Sequence, residues 1–276
     1  MSAEELSEVL EATEAPARPW WGRYDLDEGQ TGMQWRIGPL QLQARRWRQE
    51  WRLAWREGED PLSTTLEHGP LDELDEEGHT VARYAFSDSS RGLYLKPRLA
   101  DRPVVVRPDI PLYVPGGEET VIYVSTSIWV QVMNAEETAT LTEIPSYRPS
   151  DSWFGPNTRE GELCYASRSL ARLRLDEVIQ RPHRVVSPVT VRNKAEDALL
   201  IERLSVPVPL LPLYASRQNQ LWTQPMVMER SADGKQGALK LEEMQLPAGL
   251  EVTRISEARQ EPPKHGLLRA LESLFA

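Results

Sequence analysis

The residues best suited to chemistry gather in "SDSWFGPNTREGELCYASRS", residues 150–169 of the 276-residue chain. Gly155, Pro156 and Asn157 form a turn-prone centre, flanked by Trp153, Arg159, Glu160, Glu162 and Cys164. If residues 160–165 are a strand, Glu160, Glu162 and Cys164 share one face, because strand side chains alternate with a period of two. Two carboxylates so placed could act as an acid/base pair, with Trp153 or Tyr165 as a platform for a sugar ring. A long inter-strand loop ending in a polar strand face accounts for the same residues without chemistry. Cys164 could be a nucleophile with His183 as its base. A lone cysteine between Leu163 and Tyr165 equally suits a small core position. The candidate site is therefore Trp153, Asn157, Arg159, Glu160, Glu162, Cys164 and His183, with no catalytic role assigned among them.

Other chemistries find less support. His68, His79, His183 and His265 have neither HExxH spacing nor a shared face, so no metal site is expected. "DLDEGQ", with Asp25, Asp27 and Gly29, resembles part of a calcium loop but lacks the third acidic ligand and the distal Glu. It reads as a hairpin turn. "PGGEET" is followed by neither Lys-Ser/Thr nor a helix, so it is no phosphate cradle. GxGxxG and GxSxG do not occur, and no cofactor is expected.

The elements that must position these residues read as β almost throughout. "RPVVVRP", "PLYVP", "TVIYVSTSIWVQV", "HRVVSPVTVRN", "ALLIERLSVPVP" and "LWTQPMVMER" are short β-branched or aromatic runs cut by turn formers. Ile128, Val130 and Val132 alternate with Trp129, Gln131 and Met133, as a strand requires. No strand alternates with a helix-length pattern, which argues against βαβ units. "SIWVQVMNAEETATLTEI" and "VTVRNKAEDALLIERL" each read as a strand, an Asn-led turn and a strand, a weak internal repeat. The expected fold is mainly β, with two immunoglobulin-like β-sandwich units, residues 16–135 and 136–260. A short amphipathic helix is expected at each end. Residues 1–15 carry a Ser2/Glu5 capping box and a Leu6, Val9, Leu10 stripe. Residues 261–276 place Leu267, Leu268, Leu271, Leu274 and Phe275 on one helical face.

"RRWRQEWRLAWRE", residues 45–57, spaces Trp47, Trp51 and Trp55 by four, which suits a helix and a strand alike. The preceding "IGPLQLQA" decides for strands. Leu40, Leu42 and Ala44 hold even positions, whereas the apolar residues from Trp47 onward hold odd ones. That flip of parity predicts a turn or bulge near residues 46–49. "EWRLAWR" then returns beside "PLQLQAR", with the tryptophans inside and Arg48, Arg52 and Arg56 outside.

Charge supports that reading. The net charge is −10, which opposes the broad basic footprint of a nucleic-acid binder and attraction to anionic membranes. Residues 35–56 hold six arginines and one glutamate, and residues 57–79 hold nine carboxylates and no Lys or Arg. Adjacent blocks of opposite sign neutralise one another or stay solvated. The single cysteine excludes a disulfide framework. No apolar run approaches the roughly 20 residues of a membrane span, and residues 1–16 have no signal-peptide pattern. A cytoplasmic location is expected.

Three stretches, "LKPRLADRPVVVRPDIPLYVP", "WFGPNTREGELCYAS" and "RPHRVVSPVTVRN", together resemble a prokaryotic family defined only as a domain of unknown function. The likeness covers most of residues 30–230. It implies no activity, cofactor or site residue. The residues themselves favour a non-enzymatic binding or assembly module, with a protein partner or second copy engaged through terminal helices or sheet edges. The alternative is an enzyme acting on a carbohydrate or another small polar substrate through residues 151–168.

Overall fold

The computed structural model describes residues 18–87, 90–155, 159–169, 171–246, 249–261 and 267–270. Asn157, His265 and the expected helix over residues 1–15 lie outside the described residues.

The tryptophan stretch folds as a hairpin. β3 (Leu40–Trp47) and β4 (Glu50–Glu57) pair antiparallel around a two-residue turn at 48–49. They form the middle of a five-stranded sheet in the order β5-β2-β3-β4-β6, with β2 (Gly32–Ile37), β5 (Leu66–Pro70) and β6 (Thr80–Ala85). Trp35, Leu42, Trp51 and Leu53 are buried on its inner face. Trp47 departs from the expectation. It pairs with Glu50 across the turn, and directly opposed residues share a face. The two-residue turn thus puts Trp47 on the outer face, although it lies four residues from Trp51.

A four-stranded sheet joins β1 (Gly22–Asp25), β7 (Gly92–Arg98), β11 (Trp129–Asn134) and β12 (Thr140–Pro145) in that order. The turn between β11 and β12 is closed by Asn134, whose Oδ1 accepts from the backbone N–H of Thr138 (2.9 Å) and Ala139 (2.8 Å). A second four-stranded sheet runs β13-β14-β8-β17, from β13 (Ser150–Phe154), β14 (Glu162–Ser169), β8 (Val104–Pro108) and β17 (Leu204–Val206).

The largest sheet is built on β15 (Arg184–Asn193). β10 (Glu119–Ser127) pairs antiparallel along nearly all of β15. On its other edge β15 meets β19 (Leu221–Thr223) and then β20 (Met226–Arg230), both parallel to it. β18 (Leu213–Ser216), β22 (Val252–Ser256), β21 (Gln236–Leu241) and β23 (Leu267–Ala270) complete eight strands.

Two expectations are corrected here. Residues 267–270 are not helical: β23 pairs antiparallel with β21, from Gln236↔Ala270 to Leu239↔Leu267. An open sheet edge offers backbone partners that outweigh a short segment's helical periodicity. The second Asn-led turn does not close a hairpin either. β16 (Leu199–Ile201) leaves β15 and pairs with β9 (Leu112–Val114). The Asn193 amide instead donates to the carbonyls of Val114, Pro115 and Asp197 (3.0, 3.2 and 2.7 Å), so its side chain serves a chain crossing.

The described chain is mainly β, with two short 3-10 turns and no α-helix among the described residues. A single buried apolar cluster includes Trp20, Trp51, Leu95, Val132, Val189 and Leu239. The large sheet turns one face to it. The other face carries Tyr123, Val186 and Trp222, a smaller cluster covered by Leu175, Val178, Met244 and Leu250. That cover is incomplete, and cavities open at its margins.

Candidate functional site

The hairpin of β13 and β14 places most of the residues expected to do chemistry. Ser152 lies opposite Cys164, and Phe154 opposite Glu162. Cys164 is fully buried with Val105 and Phe154, and its thiol donates to the Glu162 carbonyl at 3.5 Å. Trp153 and Leu163 form a cross-strand pair on the opposite face, 45% and 47% exposed. Gly161 lies beneath the Trp153 indole, where a Cβ would come within 2.6 Å of its nitrogen. Arg159 and Glu160 are exposed and Glu162 is half-buried. The hairpin therefore joins Glu162, Cys164 and Trp153 through its backbone, with Cys164 turned into the interior. None of these residues lines either of the two cavities described below.

His183 lies elsewhere, at the foot of β15. It is fully buried against the Gly38 turn between β2 and β3, where φ is +59° and a Cβ would overlap the imidazole Nδ1. Only glycine suits both that backbone and that contact. The Nε2–H donates to the Pro61 carbonyl at 3.1 Å, leaving Nδ1 buried without a partner. Burial, aided by the Arg184 charge, lowers the imidazole pKa from 6.5 to about 4, so the ring is neutral at pH 7.

The next residue faces the other way. Adjacent residues entering a strand point to opposite sides of the sheet, and Arg184 projects onto the outer face. There it lines a cavity of about 320 Å³ with Tyr123, Ser125, Arg172, Glu177, Val178 and Arg181, among others. Leu62 and Asp109 enter from two separate loops. The segment after β14 forms the far wall. Its residue Arg172 exchanges backbone hydrogen bonds with Tyr123 (2.8 and 3.0 Å), which holds it against the edge of β10.

Arg184 is only 8% exposed. Its Nε donates to the Ser125 hydroxyl at 2.9 Å, and a terminal nitrogen donates to the Ser125 carbonyl at 2.5 Å. Both acceptors are neutral. Arg181 donates to the carbonyls of Leu62 (3.0 Å) and Ile179 (3.5 Å). Among the described residues, no carboxylate oxygen lies within 4.0 Å of either guanidinium. The Arg172 Nε is buried without a partner, and its terminal nitrogen lies 4.0 Å from Glu177. Burial, with Arg181 adding to it, lowers the Arg184 pKa to about 10, and it stays charged at pH 7. A buried charge is ordinarily paired, because desolvation costs several kcal/mol per ion. Here the Nε and Nη2 edge is taken by Ser125, the Nη1 nitrogen has no partner among the described residues, and the residue lines the cavity.

A larger cavity, about 750 Å³, lies beside β18 and β22, with Trp21, Tyr214, Arg217 and Glu251 in its lining. Its charges satisfy each other: Arg217 and Glu251 pair at 2.5 Å, both well exposed. Nothing in it is both charged and unmatched, so size is a poorer guide than electrostatics here.

Sequence reasoning came within one residue of the arginine-lined cavity, at His183, but missed Arg184. The available signal was an arginine opening the alternating run "RVVSPVTV", on the same parity as Val186 and Pro188. Among the described residues no helix is long and apolar enough to cross a membrane, and no cluster of three His, Cys, Asp or Glu could hold a metal ion. No curated protein matches the chain, and no solved structure does. A family model described as a protein of unknown function, DUF432, matches residues 20–275, and the chain belongs to that family.

Proposed function

We propose that this protein is a non-enzymatic binding module whose ligand is a small anion held in the arginine-lined cavity. The observation that carries the reading is the Arg184 guanidinium: buried, bonded only to neutral oxygens, and bordering an opening. A planar guanidinium suits an anion, and a perturbed buried charge in a cleft is a functional-site candidate. The cavity also falls at the lower end of the range of small-molecule sites, about 300–1,000 Å³.

Two features of the scaffold belong to the same reading. The pairing of β10 with β15 across residue 135, and the cluster from Trp20 to Leu239, support one continuous body in place of two sandwich units. Assembly with a partner or second copy would use sheet edges, and a cytoplasmic location accords with a small-anion ligand. An enzyme acting through residues 151–168 is less favoured, because Cys164 is interior and Trp153 stands outside both cavities.

Thermal melting in sodium acetate and in sodium phosphate, against chloride at matched ionic strength, tests the reading. A ligand that binds only the folded state raises Tm with concentration. Wild type should show a saturable rise with at least one of these anions, and Arg184→Met should not. Equal responses in the two proteins would refute the assignment.

A further inference from the structure

Resting on that reading, we infer that the ligand is an amphiphilic monocarboxylate, an acid with an aliphatic body. Two independent observations lead there. The first is the charge of the lining. Arg172, Arg181 and Arg184 oppose Asp109 and Glu177, which leaves one net positive charge. A singly charged head balances it, whereas a phosphate dianion would leave one negative charge uncompensated.

The second is the apolar rim. Ten large apolar side chains of the described residues are conspicuously exposed, and two of them belong to this cavity. Leu62 (57%) and Ile179 (52%) line the cavity itself. Val121 (37%) lies on β10 on the same side as Tyr123 and Ser125. Scattered exposed apolar residues need no explanation, but exposed apolar side chains within the lining of a charged cavity suit an amphiphilic ligand. The lining itself mixes the two chemistries, with Ala171, Val178 and Ile179 in it beside the arginines. At about 30 Å³ per water-sized group, 320 Å³ holds on the order of ten heavy-atom groups, enough for a medium-length acid. The carboxylate would pair with the Nη1 side of Arg184, the side that Ser125 does not occupy, and the chain would run out past Val178 toward Leu62 and Ile179.

Isothermal titration of the whole protein with acetate, butanoate, hexanoate and octanoate is the test, with octanamide and octyl phosphate as comparison probes. Affinity should rise about threefold to fourfold per added methylene, the gain expected for burying one. Octanamide should bind at least about tenfold more weakly than octanoate, since it lacks the charge. Octyl phosphate, doubly charged at pH 8, should also fall below octanoate. Ile179→Ser, a change at an exposed position, should weaken octanoate severalfold and leave acetate unchanged. Anion binding with no dependence on chain length, or a preference for octyl phosphate, would overturn this inference and leave the anion-binding reading intact. If no anion in the series binds, both fail.

Discussion

Two arginine-rich regions of this protein have opposite electrostatic fates. On the outer face of the five-stranded sheet, charged side chains meet opposite charges, an aromatic ring or a polar acceptor. Glu50 joins Arg52 at 2.7 Å and Arg83 at 2.6 Å. Arg52 also lies 3.5 Å from Glu76, while Arg45 and Arg52 flank the Trp47 ring at 5.1 and 4.5 Å. The acidic segment that follows β4 folds back onto this face, where the Gln43 side chain accepts from the Asp75 N–H at 2.8 Å. At the foot of β15, Arg181 and Arg184 have only neutral partners among the described residues. The first region is richer in arginine, and Arg52 and Arg83 in it are paired with carboxylates. The second is sparse but unmatched. Counter-charge, and not the density of basic residues, locates the site.

The regions meet where the Gly38 turn packs on His183, and the largest effect is expected there. Gly38→Ala would force a left-handed backbone on a Cβ that overlaps the imidazole, and should cost at least about 3 kcal/mol of stability. Urea unfolding measures it. Anion affinity would fall with it, because Arg184 adjoins the displaced histidine.

His183 sets the next effect. The unfolded chain takes up its proton as pH falls through 6.5, while the folded ring resists until about pH 4. Stability is therefore full above pH 6.5 and declines as pH falls toward 4, by about 3 kcal/mol in all. His183→Gln should flatten that slope in unfolding measured from pH 7 to pH 4.

Smaller consequences separate the two regions. Arg184→Met removes an unmatched buried charge, so the unliganded protein should be as stable as wild type or up to about 2 kcal/mol more stable. A drop of that size would instead assign Arg184 a structural role. Glu50→Gln breaks the paired network on the exposed sheet face. It should lower Tm by roughly 1–3 °C, less at high salt, with anion binding unaltered.

Much of the scaffold is legible in the sequence. The parity flip between Ala44 and Trp51 gives the β3–β4 hairpin, and the alternation through Ile128, Val130 and Val132 gives a buried strand face. Trp47 is misread because residues four apart share a face only within one strand, and a two-residue turn lies between it and Trp51. The C-terminal leucines satisfy a helical period, yet an available edge on β21 is a tertiary fact with no local signature. The cavity is least legible. Leu62, Asp109, Ser125, Arg172 and Arg184 are dispersed along the chain and acquire a common purpose only after the sheets assemble. An arginine's missing partner cannot be read from its neighbours in sequence.

The most direct test is calorimetric titration of octanoate into wild type, Arg184→Met and Arg52→Met under one buffer and salt. If unmatched charge defines the site, Arg184→Met loses at least about tenfold in affinity and Arg52→Met matches wild type. Equal losses in both variants, or octanoate binding that survives Arg184→Met, would contradict the account.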